Sequence, residues 1–187
     1  MNQLYLENFY LQLVNREHPA RQTPDTARLL APHPDYPDIL MEAYAARALH
    51  RLLDAIHGFQ AIALVSGFRS HKEQIDIWES CERKHGSRYR DQFVAPPGCS
   101  EHETGLAIDV AARTKQIDFI CPSFPNAGIY EEFRRKAPEF GFIERYPKGK
   151  ERLTRIACEP WHFRYVGTPH AWIITENHLV LEEYIAL

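Results

Sequence analysis

"GCSEHETGLAIDV", residues 98–110, is the stretch on which the fold turns. Its character changes halfway. Gly105 breaks any helix begun by the polar first half, and Leu106-Ala107-Ile108-Asp109-Val110 is an apolar run of the kind that forms a buried strand. His102 is therefore expected at a loop or strand entry, and Asp109 inside the strand, with both able to face one cleft. A carboxylate in such a strand needs a partner, because an unpaired buried acid is strongly destabilising. A metal ion is one such partner and an arginine is the other.

Working outward, "ILMEAYAARALHRLLDAIHG" (39–58) carries apolar residues at spacings of three and four, which predicts an amphipathic helix with Gly58 as its C-terminal cap. "FQAIALVSG" (59–67) reads as a buried strand ending at Gly67. Ser70 and Glu73 then have capping-box spacing, so a second helix should run from about His71 to His85. Downstream, "YEEFRRKAPEF" (130–140) reads as a short helix, and "GFIERY" (141–146) and the stretch around Phe163 to Val166 as strands. Pro19, Pro24, Pro32, Pro34 and Pro37 mark residues 1–40 as an irregular N-terminal arm. Helices and strands intermix without βαβ alternation. The expectation is a single α+β domain over residues 1–187, its helices flanking a central, mostly antiparallel sheet.

A net charge of −3, from 22 basic and 25 acidic residues scattered along the chain, gives no electrostatic footprint for nucleic acid. No apolar run is long enough to span a bilayer, and Asn2, Glu7, Asn8 and Gln12 interrupt any secretory signal, so the sequence reads as cytoplasmic, with no membrane partner. Cys81, Cys99, Cys121 and Cys158 form no CxxC pair, which excludes a zinc ribbon; free thiols are expected, with a Cys99–Cys158 bridge the alternative.

"CEPWHFRYVG" (158–167) supplies a second imidazole, His162, and a second carboxylate, Glu159. Two imidazoles and one carboxylate, here His102, His162 and Asp109, form a three-ligand set of the kind catalytic zinc uses, with the fourth position left for water. Glu159 is then left over, and an acid beside activated water is what a general base requires. Taken singly, a buried histidine or aspartate is more often structural than a ligand, and Glu-x-x-His alone reads either way. The helical HExxH signature is absent, since Leu106 stands where its second histidine belongs. In "VSGFRSHKEQ" (65–74) Arg69 follows a strand end, where a guanidinium can bind a substrate carboxylate or a developing oxyanion, or simply pair with a surface acid. Trp161, Phe163, Tyr165 and Tyr146 read as packing residues, and His170 and His178 as structural.

"SGFRSHKEQ", "PGCSEHETGLAIDV", "GFIERYPKGK" and "EPWHFRYVGTPH", in this order and at these distances, resemble the VanY-type zinc D-alanyl-D-alanine carboxypeptidases, and within them most closely the compact VanXY enzymes. The resemblance spans about residues 60 to 185 and implies a DD-peptidase-like fold and one zinc ion on His102, Asp109 and His162. It implies Glu159 as catalytic base, Arg69 at the reacting carbonyl or the substrate's terminus, and Ser100 and Gln74 as residues that hold a peptide ending in D-Ala-D-Ala. Phe68, where many such enzymes carry tyrosine, departs from the pattern, as does "RLTRIAC" (152–158), which lacks a glycine and an aromatic before the glutamate. The implied reaction is hydrolysis of the last peptide bond without an acyl-enzyme. In keeping with this, none of Ser66, Ser70, Ser80, Ser87, Ser100 and Ser123 has a lysine three residues on. An L,D-carboxypeptidase, a peptidoglycan endopeptidase and a non-catalytic zinc-stabilised binding module are alternatives on the same residues.

Overall fold

A computed structural model describes residues 9–187. The first eight residues of the expected N-terminal arm, which include Asn2, Glu7 and Asn8, lie outside the described residues. The rest of the arm is largely irregular. It also holds a 3-10 turn, Thr26–Arg28, and a two-residue strand β1 (Leu29–Leu30) paired antiparallel with β2 (Met41–Glu42). Because β2 takes up the start of the predicted helix, helix α1 runs only over Ala43–Ala55. The Glu42 carboxylate caps it by accepting from the Tyr44 and Ala45 amides at 2.8 and 3.2 Å. Gly58 is not its C-cap. The left-handed position falls to His57 (φ 53°), and Gly58 opens a 3-10 turn instead.

Four strands form the central sheet in the order β3–β4–β6–β5, every pairing antiparallel: β3 Ile62–Ser66, β4 Ala107–Ala112, β6 Glu159–Tyr165 and β5 Phe142–Tyr146. Between them lie α2 (His71–His85), α3 (Ser87–Phe93), α4 (Gly128–Lys136) and the single turn α5 (Glu151–Thr154); α6 (His170–Glu176) and α7 (Leu181–Ile185) close the chain. The capping box at Ser70 and Glu73 is formed, so α2 begins and ends where the sequence predicts. The last strand starts earlier than predicted, at Glu159.

Side chains alternate across a strand, and this alternation builds the site. Ile62 and Leu64 of β3, Ile108 and Val110 of β4 and Phe163 of β6 point to one face, where they pack with Leu49, Leu52 and Leu53 of α1 and Phe133 of α4. Ala63, Val65 and Ala111 gather on the other face. Asp109, between Ile108 and Val110, must also lie there, and the register sets it directly opposite His162 of β6.

Two irregularities complete the arrangement. Between the pairs Glu144↔Phe163 and Tyr146↔Glu159, β6 advances by more residues than β5, so the strand is bulged around Pro160 and Trp161. In a regular strand, residues three apart face opposite ways; this slack lets Glu159 and His162 line the same cavity. A second register shift, between Leu64 and Ser66, lies at the end of β3, next to Gly67.

Gly67 sits where a side chain cannot. A Cβ there would overlap the Leu40 carbonyl oxygen, a backbone atom that already accepts the Phe68 amide. Gly67→Ala should therefore destabilise the fold by about 1–3 kcal/mol, as overpacking does, in a urea-unfolding comparison with the parent protein.

Candidate metal centre and active site

His102 sits in a 3-10 turn, Glu101–Thr104, that leads through Gly105 (φ 69°) into β4. Its Nδ1 lies 2.7 Å from the Gly67 carbonyl oxygen, a contact that requires a proton on Nδ1 and leaves the Nε2 lone pair free. That Nε2 faces Asp109 Oδ2 at 3.1 Å. The other carboxylate oxygen, Oδ1, lies 3.0 Å from His162 Nδ1. One ligand atom from each of His102, Asp109 and His162 falls within 4.8 Å of the others, and all three residues are buried. Two imidazole nitrogens and a carboxylate oxygen converging in this way fit a divalent transition metal. Among the described residues no other such group forms. The arginine alternative for Asp109 is not what the structure has, since its polar contacts are the two imidazoles.

Charge in the site follows from burial and from these contacts. Burial alone would raise the Asp109 pKa, but the two histidines outweigh it and hold it well below the usual carboxylate range. Burial disfavours the charged form of both imidazoles. His102 stays low, with Arg69 adding to the effect, whereas hydrogen bonds to Asp109 and Glu101 carry His162 up to about 9. Glu159, nearly enclosed and 3.9 Å from His162 Nδ1, is pushed up to about 8 by burial and by the negative charge of Asp109, against the pull of His162 and Arg69.

Arg69 reaches the cavity from just beyond β3 and is held at both ends of its guanidinium: Nη1 donates to Gln74 Oε1 at 2.8 Å and Nη2 to Ser66 Oγ at 2.9 Å. Gln74 is fully buried and donates its own amide to the Ala95 carbonyl at 2.7 Å. Its place is therefore behind Arg69, where it orients the guanidinium, and it is not among the residues lining the cavity. Ser100 does line the cavity.

The cavity has a volume of about 240 Å³. His102, Asp109, His162, Arg69 and Glu159 line it; Ile77, Phe93, Val94 and Ile156 give it an apolar wall, and Ser80 and Lys84 add polar groups. Trp161 and Tyr146, read from sequence as packing residues, line it as well, and the Tyr146 ring lies 4.9 Å from that of His162. Phe163 and Tyr165 are packing residues as expected, and His170 is engaged structurally with the Tyr184 hydroxyl at 2.7 Å. All four cysteines are free thiols, so Cys99 and Cys158 are not bridged. Sequence reading missed Glu101, Arg145 and Arg164, which form a buried charge cluster behind His162.

The chain matches the family model VanY, D-alanyl-D-alanine carboxypeptidase, over residues 38–168. It belongs to the VanY family. This VanY-family chain is 43% identical over 176 residues to the bifunctional D-Ala-D-Ala dipeptidase and D-Ala-D-Ala carboxypeptidase VanXYC of Enterococcus gallinarum, covering 93% of this chain and 92% of that protein. Its structure is similar to that of the vancomycin resistance D,D-dipeptidase VanXYg in complex with a D-Ala-D-Ala phosphinate analog (TM-score 0.92, 44% identity, 96% of this chain and 72% of that one). It is also similar to the vancomycin resistance D,D-pentapeptidase VanY in complex with Zn(II) (TM-score 0.73, 29% identity, 95% of this chain and 99% of that one). No helix among the described residues is long and apolar enough to cross a membrane.

Because His162 is protonated in the metal-free protein up to about pH 9, a metal must displace that proton to bind. Metal affinity should thus fall by about tenfold for each pH unit below that value, one proton being released per ion. Chelator competition at a series of pH values reads this slope directly; a flat profile between pH 6 and 8 would contradict it.

Proposed function

We propose that the chain is a zinc-dependent D,D-peptidase that removes the C-terminal D-alanine from D-Ala-D-Ala and from peptidoglycan precursors ending in that dipeptide. The observation that carries this reading is the convergence of His102, Asp109 and His162 on one small cavity that Glu159 and Arg69 also line. His102 Nε2, the Asp109 carboxylate and His162 Nδ1 would hold the ion. When bound, zinc supplies Lewis acidity, which polarises a carbonyl oxygen and acidifies water.

The remaining work falls to the protein's own groups. Glu159, which lines the cavity beside His162, takes a proton from the attacking water and returns it to the leaving amine. Arg69, fixed by Gln74 and Ser66, presents its guanidinium to the oxygen on which negative charge develops. Holding that donor in place beforehand matters because reorganisation at the moment of reaction is avoided. Ser100 lines the wall against which the peptide lies. The apolar wall formed by Ile77, Phe93, Val94 and Ile156 accepts the methyl-bearing part of the substrate. On this reading the substrates are cytoplasmic precursors. By analogy with VanXYg, a role in vancomycin resistance would follow from removing the D-Ala-D-Ala terminus.

Glu159 also favours an enzyme over a zinc-stabilised binding module, which has no use for a base beside the metal. Product analysis by mass spectrometry should find D-alanine released from D-Ala-D-Ala and from a stem pentapeptide; release from a tetrapeptide alone would replace the D,D assignment with an L,D one. Glu159→Gln should keep zinc and lose turnover by roughly 10²–10⁴-fold, the usual contribution of acid–base catalysis. Unchanged turnover would remove Glu159 from the mechanism.

A further inference from the structure

The two nitrogens of His162 have different partners. Its Nδ1 faces Asp109 Oδ1 at 3.0 Å, while its Nε2 lies 3.3 Å from Glu101 Oε2. A histidine that ligates through Nδ1 must carry its proton on Nε2, and a carboxylate acceptor there selects that tautomer and strengthens the ligand. Glu101 can act in this way only if its own charge is compensated, because its side chain is wholly enclosed.

Two arginines, themselves fully buried, meet that need. Arg145 Nε donates to Glu101 Oε1 at 2.7 Å, and Arg164 Nη1 pairs with the same oxygen at 2.9 Å. Arg145 is in turn gripped from its far side by Glu182 of α7, with Nη1 to Oε2 at 2.8 Å and Nη2 to Oε1 at 2.7 Å. Such a two-pronged pair fixes the guanidinium plane, and with it the direction of Nε. An unbroken path of charged contacts therefore runs from the last helix of the chain to a metal-site histidine: Glu182, Arg145, Glu101, His162.

We propose that Glu101 is the positioning residue of His162, and that the C-terminal helix, through Glu182 and Arg145, holds Glu101 in that role. The inference rests on the reading of His102, Asp109 and His162 as a zinc site. It makes α7, which lines no part of the cavity, a determinant of metal affinity.

Zinc affinity by chelator competition on the full chain tests this, with circular dichroism as a check of folding. Glu101→Gln, which keeps the shape and removes the charge, should weaken zinc binding by about 10- to 100-fold. Glu182→Gln should weaken it by a smaller factor, about three- to tenfold. In the double variant the second change should add less than about twofold, because both act through one path. Glu183→Gln is the control: it removes a contact of the same helix, to Lys150 at 2.8 Å, that does not lead to the site, and should leave zinc affinity unchanged. If Glu101→Gln does not fold, the contrast between Glu182→Gln and Glu183→Gln carries the test alone. Equal effects of those two variants, or zinc affinity within twofold of the parent for both Glu101→Gln and Glu182→Gln, would overturn the proposal. Rescue supplies a further readout: Glu101→Asp should bind zinc better than Glu101→Gln, and the reverse order would overturn it too. A parent chain that binds zinc no better than Asp109→Asn would sink the zinc-site reading itself; a parent that binds tightly beside unaffected glutamate variants would sink only this inference.

Discussion

Everything at the centre of this molecule hangs on one cross-strand pair, Asp109 of β4 against His162 of β6. An acid placed inside an apolar strand is unfavourable unless its charge is answered. Here it is answered from both sides, by His162 on the neighbouring strand and by His102 from the turn that feeds β4. That requirement ties the register of the sheet to the chemistry of the site. Slipping β4 by one residue against β6 would bury Asp109 among the leucines of α1 and turn Ile108 toward the cavity. The apolar core on one face and the ligand set on the other therefore enforce the same pairing.

Behind that pair the interior is unusually polar. Arg145 and Arg164 are among the largest fully enclosed side chains, and both are directed at Glu101. Removing one member of such a cluster leaves a buried charge without its counterion, at a cost of about 3–5 kcal/mol. An apolar core of the same volume would hold the strands together as well. The cluster earns its place through what it touches, an imidazole whose free nitrogen has to be specified.

How much of this could be read from the chain depends on how local each signal is. The strand containing Asp109 and the helix capped by Ser70 are specified by neighbouring residues, and both were legible. The three residues of the candidate metal site could be picked out because an acid in an apolar run and a histidine beside an acid are conspicuous. The residues supporting them were not, although the same logic applied: Arg145 in "FIERY" and Arg164 in "HFRYV" are charges within strand-like runs, and each implied a partner. Nothing local named that partner, since Glu101 lies 44 positions from Arg145. Gln74 shows a different limit. Its family motif pointed to the substrate, while its buried amide serves Arg69 and a backbone carbonyl. The end of α1 was misread because His57 takes the left-handed turn one residue before the glycine that signalled it.

The bulge in β6 has a meaning for how such a site could change. In an unbulged strand His162 would still meet Asp109, but Glu159 would project with Phe163 into the helix-covered side of the sheet. On the proposed reading, the result would be a fold that keeps its candidate metal site and has no base to use with it. Catalysis and mere metal storage are thus separated, in this architecture, by local slack in a single strand, a change that shortening the loop before it could make without touching a ligand.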